Sequence, residues 1–86
     1  MRIDKYLKVS RIIKRRTVAN EACDAGRVSI NGKPAKASAE VSVGDVIGIR
    51  FGEHYSSYRV LSLADSIHKE DAAALYEIIQ SDVQEQ

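Results

Sequence analysis

Apolar residues along the chain keep a helical spacing at first and then a strand-like one. At 100° per residue, Ile3, Tyr6, Leu7 and Ile13 gather on one side, with Lys5, Lys8, Arg11 and Arg15 on the other. That pattern predicts an amphipathic helix over residues 2–13. Thr17 offers an N-cap hydroxyl for a second helix over 18–25, with Val18, Ala22 and either Cys23 or Ala25 turned inward. Gly26 supplies the left-handed residue that closes it. From Arg27 the period drops to two. Arg27, Val28, Ser29 and Ile30 alternate as a half-buried strand does, and Asn31–Gly32 is a two-residue hairpin signal because both residues tolerate positive φ. Pro34 places the returning segment at a sheet edge or a bulge.

Residues 35–42 are small and polar and predict a loose connection. A turn at Val43–Asp45 leads into a strand over 46–51, and Gly52–His54 turns again into a strand over 55–63. Tyr58 and Val60 pack on the sheet, with Leu61 as a further candidate. A last helix is expected from Lys69 to Gln80 on the stripe Ala72, Leu75, Tyr76 and Ile79, followed by an acidic tail over 81–86. The predicted class is therefore α+β: two N-terminal helices packed on a small, twisted, mostly antiparallel sheet, plus a C-terminal helix. One domain over 1–80 is expected, with its core motif in 1–52 and the C-terminal strand and helix in 55–80.

Composition narrows this picture. A chain of 86 residues buries only roughly 60–65% of its unfolded surface, which allows one modest core and no separate catalytic domain. With 44% apolar residues, no Trp and one Phe, that core is built from Ile, Val, Leu and Ala.

Charge changes the picture more. The formal net charge of +1 conceals a segregation. Residues 1–36 hold ten Lys and Arg against three acids, for +7, and residues 37–86 hold three bases against nine acids, for −6. A basic half of this kind implies a polyanionic partner. The basic helix face has only Asp4 beside it, so the pairing of opposite charges three or four residues apart is missing. Lys14, Arg15 and Arg16 sit just before a helix start, where side chains, amides and the helix dipole favour an anion together.

Enzymatic chemistry finds little support. Cys23 is the single cysteine, which excludes an internal disulfide and a cysteine-based metal site; it reads as a small buried apolar residue. His54 and His68 lack an evident nucleophile, and no paired catalytic carboxylates, phosphate loop, dinucleotide fingerprint or metal-ligand spacing occurs. Glycines fall at turns and a helix end, with Gly48 inside a strand. No cofactor and no metal are expected. Nor is any apolar run long enough for a signal peptide or membrane span, so a cytoplasmic, non-enzymatic protein without a membrane partner is expected.

Four features recur together in a known family: Arg2–apolar–Asp4–x–x–Leu7, a basic stretch, Gly26–x–Val28–x–Ile30–Asn31–Gly32, and Val41–x–x–Gly44–Asp45. With its spacing kept over about residues 1–52, the chain resembles the RNA-binding domain named after small-subunit ribosomal protein S-four. Members of that family fold as a helix pair on a small twisted sheet. They occur in ribosomal proteins, pseudouridine synthases, tyrosyl-tRNA synthetases and free-standing factors. No catalytic module is expected after residue 86, so the free-standing groups are the ones to compare. One is the heat-shock protein fifteen group, usually longer and with a basic C-terminal extension. The other is the short RqcP (YabO-like) group of bacterial ribosome-associated quality control. The acidic C-terminal half, Arg11 through Thr17 and Lys69 through Tyr76 resemble the short group.

That resemblance implies a docking role on large ribosomal subunits that carry an obstructed peptidyl-tRNA. The implied partners are large-subunit rRNA at helix sixty-nine, the peptidyl-tRNA near the P site, and a NEMF-family alanine-tailing factor. The protein itself is expected to be monomeric. By resemblance Arg2 and Arg16 are the leading RNA contacts, supported by Lys5, Lys8, Arg11, Lys14 and Arg15. Arg27, Asn31 and Lys33 complete the candidate surface. Two other readings compete: heat-shock-type recycling of stalled large subunits, and a protein adaptor whose basic half meets an acidic partner instead of RNA.

Overall fold

The computed structural model describes residues 1–63, 72 and 74–81. Two helices, α1 (Ile3–Val9) and α2 (Arg16–Asp24), precede five strands: β1 (Val28–Ile30), β2 (Lys33–Pro34), β3 (Val46–Phe51), β4 (His54–Val60) and β5 (Tyr76–Ser81). The strands form one antiparallel sheet in the order β2-β1-β3-β4-β5. Both helices lie on one face of it. Ile3, Tyr6 and Leu7 of α1 and Ala19 and Ala22 of α2 close over Val28, Ile47, Ile49 and Val60. Burying such side chains is the main term holding a domain this small together.

The turns carry out what their residues dictate. Asn31 (φ 53) and Gly32 (φ 86) form the two-residue turn between β1 and β2, and Ile30 pairs with Lys33 across it. Pro34, which has no amide to donate, lies in β2 at the sheet edge. α2 ends in a Schellman arrangement. Gly26 (φ 75) donates to the Cys23 carbonyl at 3.0 Å, and Arg27 donates to that of Ala22 at 2.9 Å.

Several expectations need correction. α1 stops at Val9, well short of residue 13, because Ser10 caps it and Arg11 turns left-handed at φ 64. The Arg11 amide donates to the Lys8 carbonyl and that of Ile13 to Leu7, so the chain folds back and Ile13 still reaches the core. α2 starts earlier than predicted: Arg15, in extended conformation, is the N-cap, and Thr17 lies inside the helix. That rotates the buried stripe to Ala19, Ala22 and Cys23, leaving Val18 38% exposed. The strand expected over 55–63 runs over 54–60, and Leu61 is exposed.

The largest correction is at the C-terminal end. In place of the helix expected over 69–80, residues 76–81 form β5, paired with β4. Residues 69–71 and 73 of that helix, and 82–86 of the expected acidic tail, lie outside the described residues. Ala72 and Leu75 are buried as the stripe required, but Tyr76, Ile78 and Ile79 have the aromatic and β-branched side chains that favour a strand. Pairing also satisfies the hydrogen-bonding edge of β4, which a helix would leave open. Tyr76 stands edge-to-face against Tyr58, ring centroids 5.4 Å apart. A bulge between Ser57 and Tyr58 shifts the register, so Tyr58 faces Ile78 and Ser57 faces Gln80.

The Leu75 carbonyl joins the two ends of the molecule. It accepts the Tyr6 hydroxyl at 2.5 Å and the amides of Leu61 and Ser62 at 2.8 and 3.2 Å. Burial, with a smaller effect of Tyr76, pushes the Tyr6 hydroxyl up to about 12, so it stays a donor at any physiological pH.

Gly26 provides a clean test of the helix end, because nothing lies within 4 Å of a Cβ added there. Gly26→Ala is expected to lower stability by about 1–2 kcal/mol purely through its left-handed backbone. Urea denaturation of the variant beside wild type checks this.

Candidate nucleic-acid interface

The basic N-terminal residues are organised by one acid. Asp4, in the first turn of α1, is 1% exposed. Its Oδ1 accepts the Lys5 amide at 2.8 Å and Arg16 Nη2 at 3.3 Å, and its Oδ2 accepts Arg2 Nη2 at 3.1 Å and Asn20 Nδ2 at 3.4 Å. The four donors come from the residue before α1, from α1 itself and from successive turns of α2, so the carboxylate staples the helix pair. Burial alone would raise its pKa. The Arg16 and Asn20 hydrogen bonds, the Arg16 charge and the Lys5 amide outweigh that, and the carboxyl is held below the usual carboxylate range.

Each arginine spends one Nη2 on Asp4 and remains nearly half exposed, Arg2 at 46% and Arg16 at 45%. The rest of each guanidinium fork therefore faces solvent, aimed and partly immobilised. Together with Asp4, Thr17, Asn20 and Glu21 they line an open cleft of about 410 Å³. A guanidinium fork fits a phosphate with two parallel donors, which a lysine ammonium cannot match.

The backbone under this site is equally fixed. Arg2 bridges to Glu40 in antiparallel fashion. The Ile3 and Asp4 amides, orphan donors at the start of α1, donate to the carbonyls of Ala39 and Ala37 at 2.8 and 3.3 Å. The residues expected to form a loose connection over 35–42 are thus a strap across the helix start, with Ala35, Ala37 and Val41 buried.

The other predicted site residues divide into two sets. Lys8, Arg11, Lys14 and Arg15 are exposed, and Lys5 is half-buried, all on α1 or the link to α2. None of them lines the Arg2–Arg16 cleft, and they do not form the single helix face expected from their spacing, because α1 ends before Arg11. Arg27 directly precedes β1, and Asn31 and Lys33 belong to the β1–β2 hairpin. The Asn31 side chain is engaged there: its Nδ2 donates to Asp45 Oδ1 at 3.1 Å and its Oδ1 accepts the Val46 amide at 3.0 Å, tying one turn to the next. Asp4 and Asn20 are the members that sequence reasoning did not assign. The available signal was that Asp4 is the lone acid among seven bases in residues 1–16. Cys23 is buried, and burial, with Asp4 and Asp24 adding to it, raises its thiol to about 11, so it is uncharged at neutral pH. Among the described residues no cluster of three His, Cys, Asp or Glu side chains fit to hold a metal is present, and no helix is long and apolar enough to cross a membrane.

Two helices on an antiparallel sheet, with arginines fixed at the helix junction, define an RNA-binding module of the S4 type. The S4 domain model matches residues 1–47. The chain belongs to the S4 domain family, and within it to the group of the RQC P-site tRNA stabilizing factors. It is 58% identical over 79 residues to the protein of that name from Streptococcus pneumoniae, covering 92% of this chain and 90% of the relative. It is 51% identical over 82 residues to that of Bacillus subtilis, covering 95% of each. Among solved structures it is similar to the trimeric heat shock protein 15 of Vibrio cholerae. That match has a TM-score of 0.82 and 30% identity, covering 91% of this chain and 80% of the other.

Asp4 makes the site sensitive to acid in a defined direction. Its folded pKa is depressed, so its stabilisation is complete above the unfolded value of about 4 and is lost as pH falls below it. Asp4→Asn is expected to cost on the order of 2 kcal/mol at neutral pH, as charged hydrogen bonds do. The variant should also flatten the stability-versus-pH curve below about pH 4. Thermal melts of both proteins across pH 2.5–7 (a range set around that value) check the two effects together.

Proposed function

We propose that the protein is a non-catalytic ribosome quality-control factor. It docks on the large ribosomal subunit, contacts rRNA and the P-site peptidyl-tRNA, and supports alanine tailing of the stalled chain by a NEMF-family partner. The observation that carries the reading is the Arg2–Asp4–Arg16 node: two half-exposed guanidinium groups tied to one buried carboxylate at an open cleft. Family membership supports the assignment to quality control, since relatives at 58% and 51% identity carry the name RQC P-site tRNA stabilizing factor.

In this reading Arg2 and Arg16 grip phosphates, while Lys5, Lys8, Arg11, Lys14 and Arg15 extend the positive surface along the RNA backbone. Arg27, Asn31 and Lys33, before and around the β1–β2 turn, add to it from the sheet. Recognition is by shape and backbone, the usual mode for structured RNA, with no residue-to-base code. A preset arginine loses less side-chain entropy when it binds than a free one does, so fixing the forks in advance favours affinity.

Neutralising about 5–7 phosphates gives a log–log salt slope of roughly −4 to −6 by analogy with other nucleic acids. We expect the Arg2→Ala, Arg16→Ala double variant to bind purified large subunits at least tenfold more weakly, with the slope smaller by about two. Sedimentation over a KCl series measures both. A flat salt response in the wild type, or a double variant that sediments like it, contradicts RNA docking and favours a protein adaptor. Heat-shock-type recycling, the reading favoured by the likeness to heat shock protein 15, predicts that function persists without the tailing partner. Assaying alanine tails in a strain lacking this protein separates it, because tails should fall only if the two act together.

A further inference from the structure

The sheet has a second face, turned away from the helices, and the charge count by halves hides what lies there. Strand parity places Val46, Gly48 and Arg50 of β3 on this outer face, since Ile47 and Ile49 fill the core. Register then sets their neighbours. Ser29, Gly48 and Ser57 lie side by side across β1, β3 and β4. One step along, Arg50 is flanked by Tyr55 of β4 and by Arg27, whose carbonyl accepts the Arg50 amide at 2.9 Å. Arg59 stands on the same face, opposite Val46, and pairs with Glu77 at 3.2 Å.

Three features single out the row Arg27–Arg50–Tyr55. First, the backbones of the exposed Arg27 and Arg50 lie directly across from each other, Arg27 also bordering a hollow beside Val18 and Glu21 of α2, and neither arginine forms an ion pair among the described residues. Like charges opposite one another in a sheet repel, so this arrangement is unfavourable until an anion joins it. Second, the hydroxyl end of Tyr55 reaches over Gly48. A Cβ built on Gly48 would collide with the Tyr55 hydroxyl and come within 2.7 Å of Ser29 Oγ. Glycine in the middle of a strand weakens it, and here it makes room for the Tyr55 ring. Third, the Arg50 guanidinium sits over the ring, 5.6 Å from its centroid. A planar cation held on an aromatic presents a stacking surface to a base and spare donors to a phosphate.

We infer that this outer face is a second RNA-contacting surface, taking an unpaired RNA segment through phosphate contacts from Arg27 and Arg50 and base stacking on the Arg50–Tyr55 pair. It rests on the RNA-docking reading and extends it: the protein holds RNA on both sides of one sheet, with the helix-junction cleft on one side and this row on the other.

Fluorescence anisotropy of the full chain with a labelled oligouridylate, over a KCl series, tests the surface in two backgrounds. In the Arg2→Ala, Arg16→Ala protein, residual oligouridylate binding is expected. Adding Arg50→Ala should weaken it about fivefold or more and lower the salt slope by about one. Gly48→Ala, which displaces Tyr55 and leaves both arginines, should weaken binding without changing the slope. Circular dichroism checks that each variant is folded; Arg50→Gln serves if Arg50→Ala is not, and Arg2→Gln, Arg16→Gln, whose amides can still donate to Asp4, if the double alanine variant is not. If Arg50 substitutions leave the oligouridylate curve untouched while Arg2→Ala, Arg16→Ala still loses large subunits, the outer face takes an acidic protein or nothing. That result overturns this inference and leaves the proposed function standing. If neither set of substitutions affects either RNA, both readings fall.

Discussion

A single buried carboxylate holds the candidate surface at the helix junction in place. Asp4 is charged, out of water, and surrounded by donors from both helices, so its removal from solvent is tolerable only while those donors stay where they are. The dependence runs both ways. Arg2 and Arg16 reach the carboxylate only because α1 and α2 cross at this point. The crossing is in turn set by the short left-handed link through Arg11 and by the strap of residues 35–41 over the start of α1. Binding geometry and helix packing are thus one constraint. A surface of freely moving lysines would carry a similar charge and have no such rigidity.

The fold was legible wherever local chemistry decides the backbone. Gly26, Asn31–Gly32, Gly44 and Gly52 all take positive φ, and the strands fall between them as their alternation requires. It was less legible where two periods fit one stretch. Ala72 and Leu75 satisfy a helical stripe and a buried strand entry equally well, and the deciding factor is the open edge of β4, a tertiary fact that no local window contains. The end of α1 was missed for a related reason: Arg11 takes a conformation that glycine or asparagine usually marks, so its residue type gives no warning.

The site divides in the same way. Charge segregation pointed to the N-terminal end of the chain and family resemblance to Arg2 and Arg16, which the structure brings together on Asp4. What a count of charges cannot reveal is burial. Asp4 was read only as the one acid beside a basic face, whereas its contacts make it the centre of that face. The same count gave residues 37–86 a charge of −6 and no candidate site residue. Yet Arg50 and Arg59 both project from one side of the sheet, brought there by register and not by sequence proximity.

The Tyr6–Leu75 hydrogen bond bears on what counts as a portable unit. The family motif matches residues 1–47, yet the helix that begins it is anchored by a carbonyl at residue 75, and its core is closed by Val60 and Leu75. The recognisable stretch is therefore a face without its own floor. A graft of those 47 residues into another scaffold would need a host that supplies the rest of β3, two more strands beside it and an acceptor for the Tyr6 hydroxyl. Wherever evolution has joined this motif to a larger protein, some neighbouring segment must do for it what β4 and β5 do here.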